Sequence, residues 1–250
     1  MILNKILSLF LCLFIPIKLS RFILNRLGHN INKSAKIGCS LIWGTKLNLG
    51  PNCKIGNFNI ISVVNLEMQN GSLIRNMNII YGLFTVILSK DSRIGKQNNI
   101  TRSKSKSIVI GVSQLYIGEL SCITKKTIID LTSSLTIGNF SQIGGVGTQI
   151  WTHGYIHATS GPDRFRVDGS VNIGNNVYIG SSCLLNPGVS IGDSINIGGN
   201  STVSKDLLTP GMYVSQPLRY LDKDYDTIKD HFKEVLNYSL IEKVYKKKND

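Results

Sequence analysis

Apolar residues recur at every sixth position over two long stretches of this 250-residue chain. Ile31, Ile37, Trp43, Leu49, Ile55 and Ile61 make the first run, and Gly38, Gly44, Gly50 and Gly56 follow four of them. Ile173, Ile179, Leu185, Ile191, Ile197 and Val203 make the second. Between them the beat survives in pieces with small slips: Leu88, Ile94, Ile100; Ile117, Ile123, Ile129, Leu135; then Ile137 and Ile143. A period of six fits neither the 3.6 of an α-helix nor the alternation of a hairpin sheet. It fits an all-β solenoid in which each hexad is one short strand plus a corner. Three hexads then close a triangular turn of about eighteen residues. Cys53, Val177, Cys183, Val189, Ile195 and Ser201, four places after apolar beats, suit a crowded interior corner.

The two ends keep other rhythms. An apolar run from Ile6 to Ile17 lies between Lys5 and Lys18. As a helix it would reach about 18 Å, short of a hydrocarbon core of roughly 30 Å. No A-x-A-like cleavage site follows it. After Pro16, Lys18, Arg21 and Asn25 share one helical face, with Leu19, Ile23, Leu24 and Leu27 turned away from it. Residues 1–30 are therefore expected to form an amphipathic helix lying on an anionic membrane, or else packed on its own protein. Residues 31–217 carry the solenoid. In residues 218–250, Ile228, Phe232 and Val235 follow helical spacing, between early Asp222, Asp224 and Asp226 and late Lys246, Lys247 and Lys248. That charge order predicts a C-terminal helix capping the coil.

Charge and cysteine content narrow the function classes. The net charge is +13; residues 1–30 hold four basic and no acidic residues, and the tail from Arg219 nearly cancels. The middle keeps sixteen basic against eight acidic residues, an excess that suits an anionic partner. No nucleic-acid motif accompanies it. Five scattered cysteines without a CxxC pair support neither a disulfide framework nor a thiolate zinc site, and point to a reducing compartment. The expected location is the cytoplasm, on the inner face of the membrane.

The hexads fail between Ile143 and Ile173, and two of the four histidines, His153 and His157, stand where they fail. A solenoid accommodates an insertion as a loop thrown from a corner, here residues 146–170. GGVG at 144–147 frees the backbone at the exit, SGPD at 160–163 marks a turn, and the chain returns through Arg164, Arg166 and Asp168. Histidine accepts a proton near neutral pH, which is what a weakly nucleophilic hydroxyl requires. Asp163, Asp168 or a backbone carbonyl could orient its ring. His157, Arg164 and Asp168 are candidate acceptor contacts, and Trp151 could stack on a sugar face. A three-histidine zinc centre lacks ligands, because His29 and His231 fall outside the solenoid.

The segment VNIGNNVYIGSSCLLNPGVSIGDSINIGGNSTVSKDLLTPGMYVSQPLRYL, at 171–221, resembles the hexapeptide-repeat acyltransferases of galactoside, maltose and virginiamycin type. The helical ends look more like polysaccharide O-acetyltransferases. The resemblance covers residues 31–217 and implies a left-handed parallel β-helix, a homotrimer and acetyl-CoA as acyl donor. It implies His153, twenty-one residues before Gly174, as general base. It places Tyr178, Ser181, Gly199, Ser204, Lys205 and Arg219 at coenzyme-contacting positions. The implied reaction is O-acetylation of a sugar in a surface polysaccharide or its precursor. N-acetylation of a nucleotide-linked amino sugar and a non-enzymatic scaffold stay open as alternatives.

Overall fold

The computed structural model describes residues 17–105, 109–215, 219–221, 232–235 and 244–247. It is a left-handed β-helix of about nine turns, with one helix among the described residues. Three parallel sheets form its faces. The first face runs from Asn30–Ile31 to Ser190–Ile191, the second from Lys36–Ile37 to Gly211–Val214, and the third from Leu41–Ile42 to Thr202–Val203. The second face ends with an antiparallel strand, Arg219–Leu221.

Each strand pairs with its counterpart one turn on. Ile31 lies beside Leu49, Leu47 beside Leu66, Leu66 beside Val86, and Ile173 beside Ile191. Inward aliphatic side chains therefore stack in columns, and Ile55, Ile74, Ile94, Ile123, Ile143, Ile179 and Ile197 form one of them, each buried. Each such burial stabilises the coil by about 1.5–3 kcal/mol. Cys53, Val177, Cys183, Val189, Ile195 and Ser201 are also buried, as their spacing predicts. Burial raises the thiols of Cys53 and Cys183 above the ordinary cysteine value. Trp43 departs from the pattern: Ile42 occupies the inward position beside Ile61, five residues after Ile37, and Trp43 sits half-buried at the next corner.

Polar columns run beside the apolar ones. Ser40, Asn59, Asn78, Asn98 and Thr127 are buried at the corner between the second and third faces. Each Asn Oδ1 accepts the backbone N–H of the next turn's counterpart: Asn59 from Asn78, Asn78 from Asn98, and Asn98 from Thr127, at 2.9–3.0 Å. An unpaired buried amide costs about 1–3 kcal/mol, as much as one buried isoleucine contributes, so the ladder is kept complete.

Two turns are longer than the rest. Leu88 pairs with Ile117 and Ile137 with Ile173. The extra residues leave at the same corner, between the third and first faces, as excursions at 102–113 and 151–170. The first shows in the hexad pattern only as a break between Ile100 and Ile117, which reads as one of the small slips of the beat. The second begins later than the sequence suggests. Gln149–Ile150 is still a third-face strand, so 144–147 is an ordinary corner and the exit lies at Trp151.

The helix α1, Ile17–Arg26, closes the first turn. Leu24 is buried in the core, Leu27 packs against it, and Asn25 bonds both the N–H and C=O of Ile31. Leu19, Phe22 and Ile23 remain exposed. Most of the apolar run from Ile6 lies outside the described residues. The expected C-terminal helix is corrected where the tail is described: Phe232–Val235 and Val244–Lys247 pair antiparallel. Phe, Val and Tyr there favour extended backbone, and Lys246 and Lys247, read as the basic end of a helix, belong to the second of these strands.

Candidate active site

The second excursion is a β-hairpin. His153–His157 pairs antiparallel with Arg164–Asp168, and Ala158 N–H bonds Asp163 C=O across the SGPD tip. The neck is fixed by Gly169 N–H on Thr152 C=O at 2.9 Å. Gly169 lies so close to the next turn that an added Cβ would meet the Gly188 backbone at 2.5 Å, so only glycine fits there.

His153 stands at the root of this hairpin, partly buried. Its Nδ1 lies 2.8 Å from Asp130 Oδ2 and 3.1 Å from Thr132 Oγ1. Asp130 follows the buried Ile129 on the third face, one turn before Trp151. Its carboxylate also accepts Thr132 Oγ1–H at 3.0 Å, Thr152 Oγ1–H at 2.7 Å and Thr152 N–H at 3.2 Å. Burial pushes the Asp130 carboxyl up, but bonds from His153 and Thr152, the His153 charge and the Thr132 hydroxyl outweigh it and hold the group below the ordinary carboxylate value. An ionised Asp130 accepts only, so Nδ1 carries the proton and Nε2 is left with its lone pair.

Both excursions brace this corner. Ser113 Oγ donates to Leu131 C=O at 2.9 Å from the first, and Ser133 N–H donates to Thr152 Oγ1 at 2.8 Å in the second. The buried Arg102 guanidinium, held by the carbonyls of Leu83, Ile110 and Gly111, feels the charges of Asp130 and Asp168. Rings line the approach: Trp151 and Tyr155 each meet the His153 ring edge-on, with centroids 6.1 Å away.

The other sequence-predicted residues divide between places. Asp168, opposite His153 on the hairpin, is engaged by Arg166, with Nε 2.7 Å from Oδ1 and Nη2 2.8 Å from Oδ2. It does not orient the imidazole, and Asp163 sits at the hairpin tip; Asp130 does the orienting. His157 and Arg164 are partners near the exposed tip, four residues from His153, about 13 Å along a strand. Arg164 lies over the Tyr155 ring at 5.5 Å. Tyr178 is exposed on the second face. Ser181 and Gly199 adjoin each other at the corner after it. Ser204 and Lys205 are exposed at the His153 corner, two turns on. Arg219 pairs through its backbone with Val214. Asp130 and Tyr155 escape the sequence reading. Asp130 is twenty-three residues from His153, and only the turn length at this point brings them together.

Known proteins with similar sequences are acetyltransferases. A chloramphenicol acetyltransferase of Morganella morganii is 31% identical over 114 residues, 38% of this chain and 54% of that protein. The galactoside O-acetyltransferase of Escherichia coli K12 is 40% identical over 62 residues, 25% of this chain and 30% of that protein. The chain thus spans about a third to a half of the curated relatives it matches. Among solved structures, a polysialic acid O-acetyltransferase superposes with a TM-score of 0.54 at 17% identity, over 78% of this chain and 83% of that one, which is a likeness of fold. No family model matches the chain.

The lowered Asp130 carboxyl fixes a pH dependence. Its stabilising contribution is complete above about pH 4, the ordinary carboxylate value, and is lost as pH falls through the lower folded value. Asp130→Asn should therefore be less stable than the natural chain at neutral pH, with the gap closing below about pH 4. Urea unfolding at both pH values measures this. An unchanged gap would mean that the carboxylate charge does not hold the corner.

Proposed function

We propose that this chain, which resembles the hexapeptide-repeat acetyltransferases in sequence and fold, transfers an acetyl group from acetyl-CoA to a sugar hydroxyl of a surface polysaccharide or its precursor. The observation that carries the reading is the Asp130–His153 pair at the root of the hairpin. Asp130 fixes the ring and its tautomer, Nε2 accepts the acceptor hydroxyl proton as oxygen attacks the acyl carbon, and Nε2 returns that proton to the departing sulfur. Bound donor supplies a thioester already activated for transfer. Trp151 and Tyr155 offer ring faces to a sugar beside His153, while His157, Arg164 and Asp168 line the hairpin further out.

The donor's anionic, extended shape fits the positions on offer. Gly199 and Ser181 leave an open, uncharged corner. Lys205 presents an exposed ammonium with no ion pair among the described residues. These two groups flank opposite edges of the third face. That face carries an apolar outer row, Leu41, Ile79 and Ile128, each 37–41% exposed. On the first face the row through Asn48 is mixed, running on through Glu67, Ile87, Tyr116, Thr136 and Asn172, and on the second the row holds Lys36, Lys54 and Arg93. A second copy covering the apolar row reaches both corners, and closure of such head-to-tail contacts gives the homotrimer. Light scattering should return three chains per particle, and Ile79→Lys should return one; a monomeric natural chain would refute the assembly.

Helix α1 supplies the membrane contact. Leu24 and Asn25 belong to the coil, whereas Leu19, Phe22 and Ile23 are exposed beside Arg21 and Arg26. Replacing Leu19, Phe22 and Ile23 with serine should release the protein from anionic vesicles in a flotation assay without lowering its melting temperature. Retained flotation would locate the contact elsewhere.

His153→Ala should lower kcat by roughly 10²–10⁴ and leave acetyl-CoA affinity nearly unchanged. Asp130→Asn should lower kcat as well, because the ring loses the acceptor that sets its tautomer. His157→Ala should alter mainly acceptor KM. Steady-state kinetics with acetyl-CoA and a surface-glycan acceptor decides: full turnover by His153→Ala would refute the base assignment.

A further inference from the structure

We propose that the corner between the third and first faces, in the early turns, binds one acidic sugar residue of the acceptor, so that the substrate is an anionic oligosaccharide or polymer. The proposal rests on the acetyltransferase reading of His153 and extends it to the acceptor.

A cavity of about 180 Å³ opens there, lined by Trp43, Ser62, Gly82, Leu83 and Lys104 among others. That is below the roughly 300–1,000 Å³ of pockets that enclose drug-sized ligands, and suits a single ring held in an open groove. Its walls combine two kinds of group. The Trp43 and Tyr81 rings lie tilted, with centroids 6.3 Å apart, and Tyr81 is exposed. Such faces pack against the C–H face of a sugar. Lys104 Nζ sits 3.9 Å from the Tyr81 ring centroid and donates to Ser62 Oγ at 3.0 Å. One hydroxyl and one ring leave donor capacity on an ammonium with three N–H groups, and no carboxylate pairs with it among the described residues. A sugar carboxylate would complete that set. Gly82 lets the groove wall pack against the next turn, since an added Cβ would meet Arg102 C=O at 2.2 Å and its φ of +143° disfavours other residues.

Position links this groove to the chemistry. Trp43, Ser62, Tyr81, Thr101, Asp130 and Trp151 each follow the buried residue of a third-face strand, and so form one row along the coil. Tyr81 lies two turns before Asp130, about 10 Å away at a strand spacing of about 4.8 Å. Trp43 lies two turns further. A short oligosaccharide spans that distance, with one residue in the groove and another at His153. The groove uses no residue of the His153 centre.

Saturation-transfer NMR on the full chain tests this, with hexasaccharides of galacturonic acid, sialic acid and hyaluronan as probes and maltohexaose as neutral control. At least one acidic probe should bind, and Lys104→Gln and Trp43→Ala should each weaken it by about tenfold. His153→Ala should bind the same probe unchanged while losing acetyl transfer. Lys104 is exposed, so its substitution leaves folding intact and keeps the test valid if Trp43→Ala unfolds. Four results would overturn the proposal: no binding of any acidic probe, tighter binding of maltohexaose, unchanged affinity in Lys104→Gln, or displacement by coenzyme A. Absence of acetyl transfer by the natural chain, with Lys104-dependent binding retained, would instead overturn the enzymatic reading and leave the groove standing.

Discussion

Parallel register between turns is the constraint on which this molecule depends. Strands lie about 4.8 Å apart, so each inward side chain has another directly above and below it. A residue inserted within a strand would turn every later side chain to the opposite side of the sheet. Extra residues therefore gather at corners. Many of these bends are made by a residue at positive φ, and not only by glycine: Phe58, Met77, Leu120 and Phe140 adopt it with their side chains exposed. Turn length can drift while the aliphatic columns stay in line.

The same constraint explains the chain's polar chemistry. At a corner the backbone leaves the sheets, and buried N–H groups there need side-chain acceptors. Asn59, Asn78 and Asn98 meet that need at the corner before the third face, each serving the next turn. Asp130 does the same at the corner after it, accepting Thr152 N–H from the next turn. Its remaining lone pairs take two hydroxyls and His153 Nδ1. The group that orients the histidine thus also holds the corner, and burial and catalysis ask the same thing of it: that it stay ionised and fully bonded.

What the sequence discloses follows from that geometry. A period of six is written in residue types, so the three-sided coil, its extent and most of its core can be read directly. Trp43 deceives because aromatic bulk counts as apolar in a pattern, whereas the step from Ile37 is five residues and gives the inward place to Ile42. Helical spacing at Phe232 and Val235 deceives because a single step of three is too short to fix a period, and both residue types favour strands. His153 stands out as a break in the beat, but Asp130 lies inside it as an ordinary outward residue after Ile129. Its role depends on which turn stacks upon which, and that sum includes a turn of twenty-one residues between Ile129 and Ile150. The excursion at 102–113 is easily passed over for another reason: it falls in a break between Ile100 and Ile117 that resembles the other slips of the beat and holds no histidine.

The two excursions leave the coil at one corner, two turns apart, with the Asp130 turn between them. Loops on a bare prism find no cleft, since its faces are flat and its corners convex. Two excursions on either side of one turn make walls, and the corner between them becomes a floor. Arg102 ties the first wall to the preceding turn through Leu83 C=O, and Thr152 ties the second to the floor. A histidine placed at the root of the second wall then has a rigid base and an open side. Placed at the tip, where His157 stands exposed, it would have neither the carboxylate nor the packing that fixes a tautomer. Position along the hairpin, not residue type, separates the two histidines.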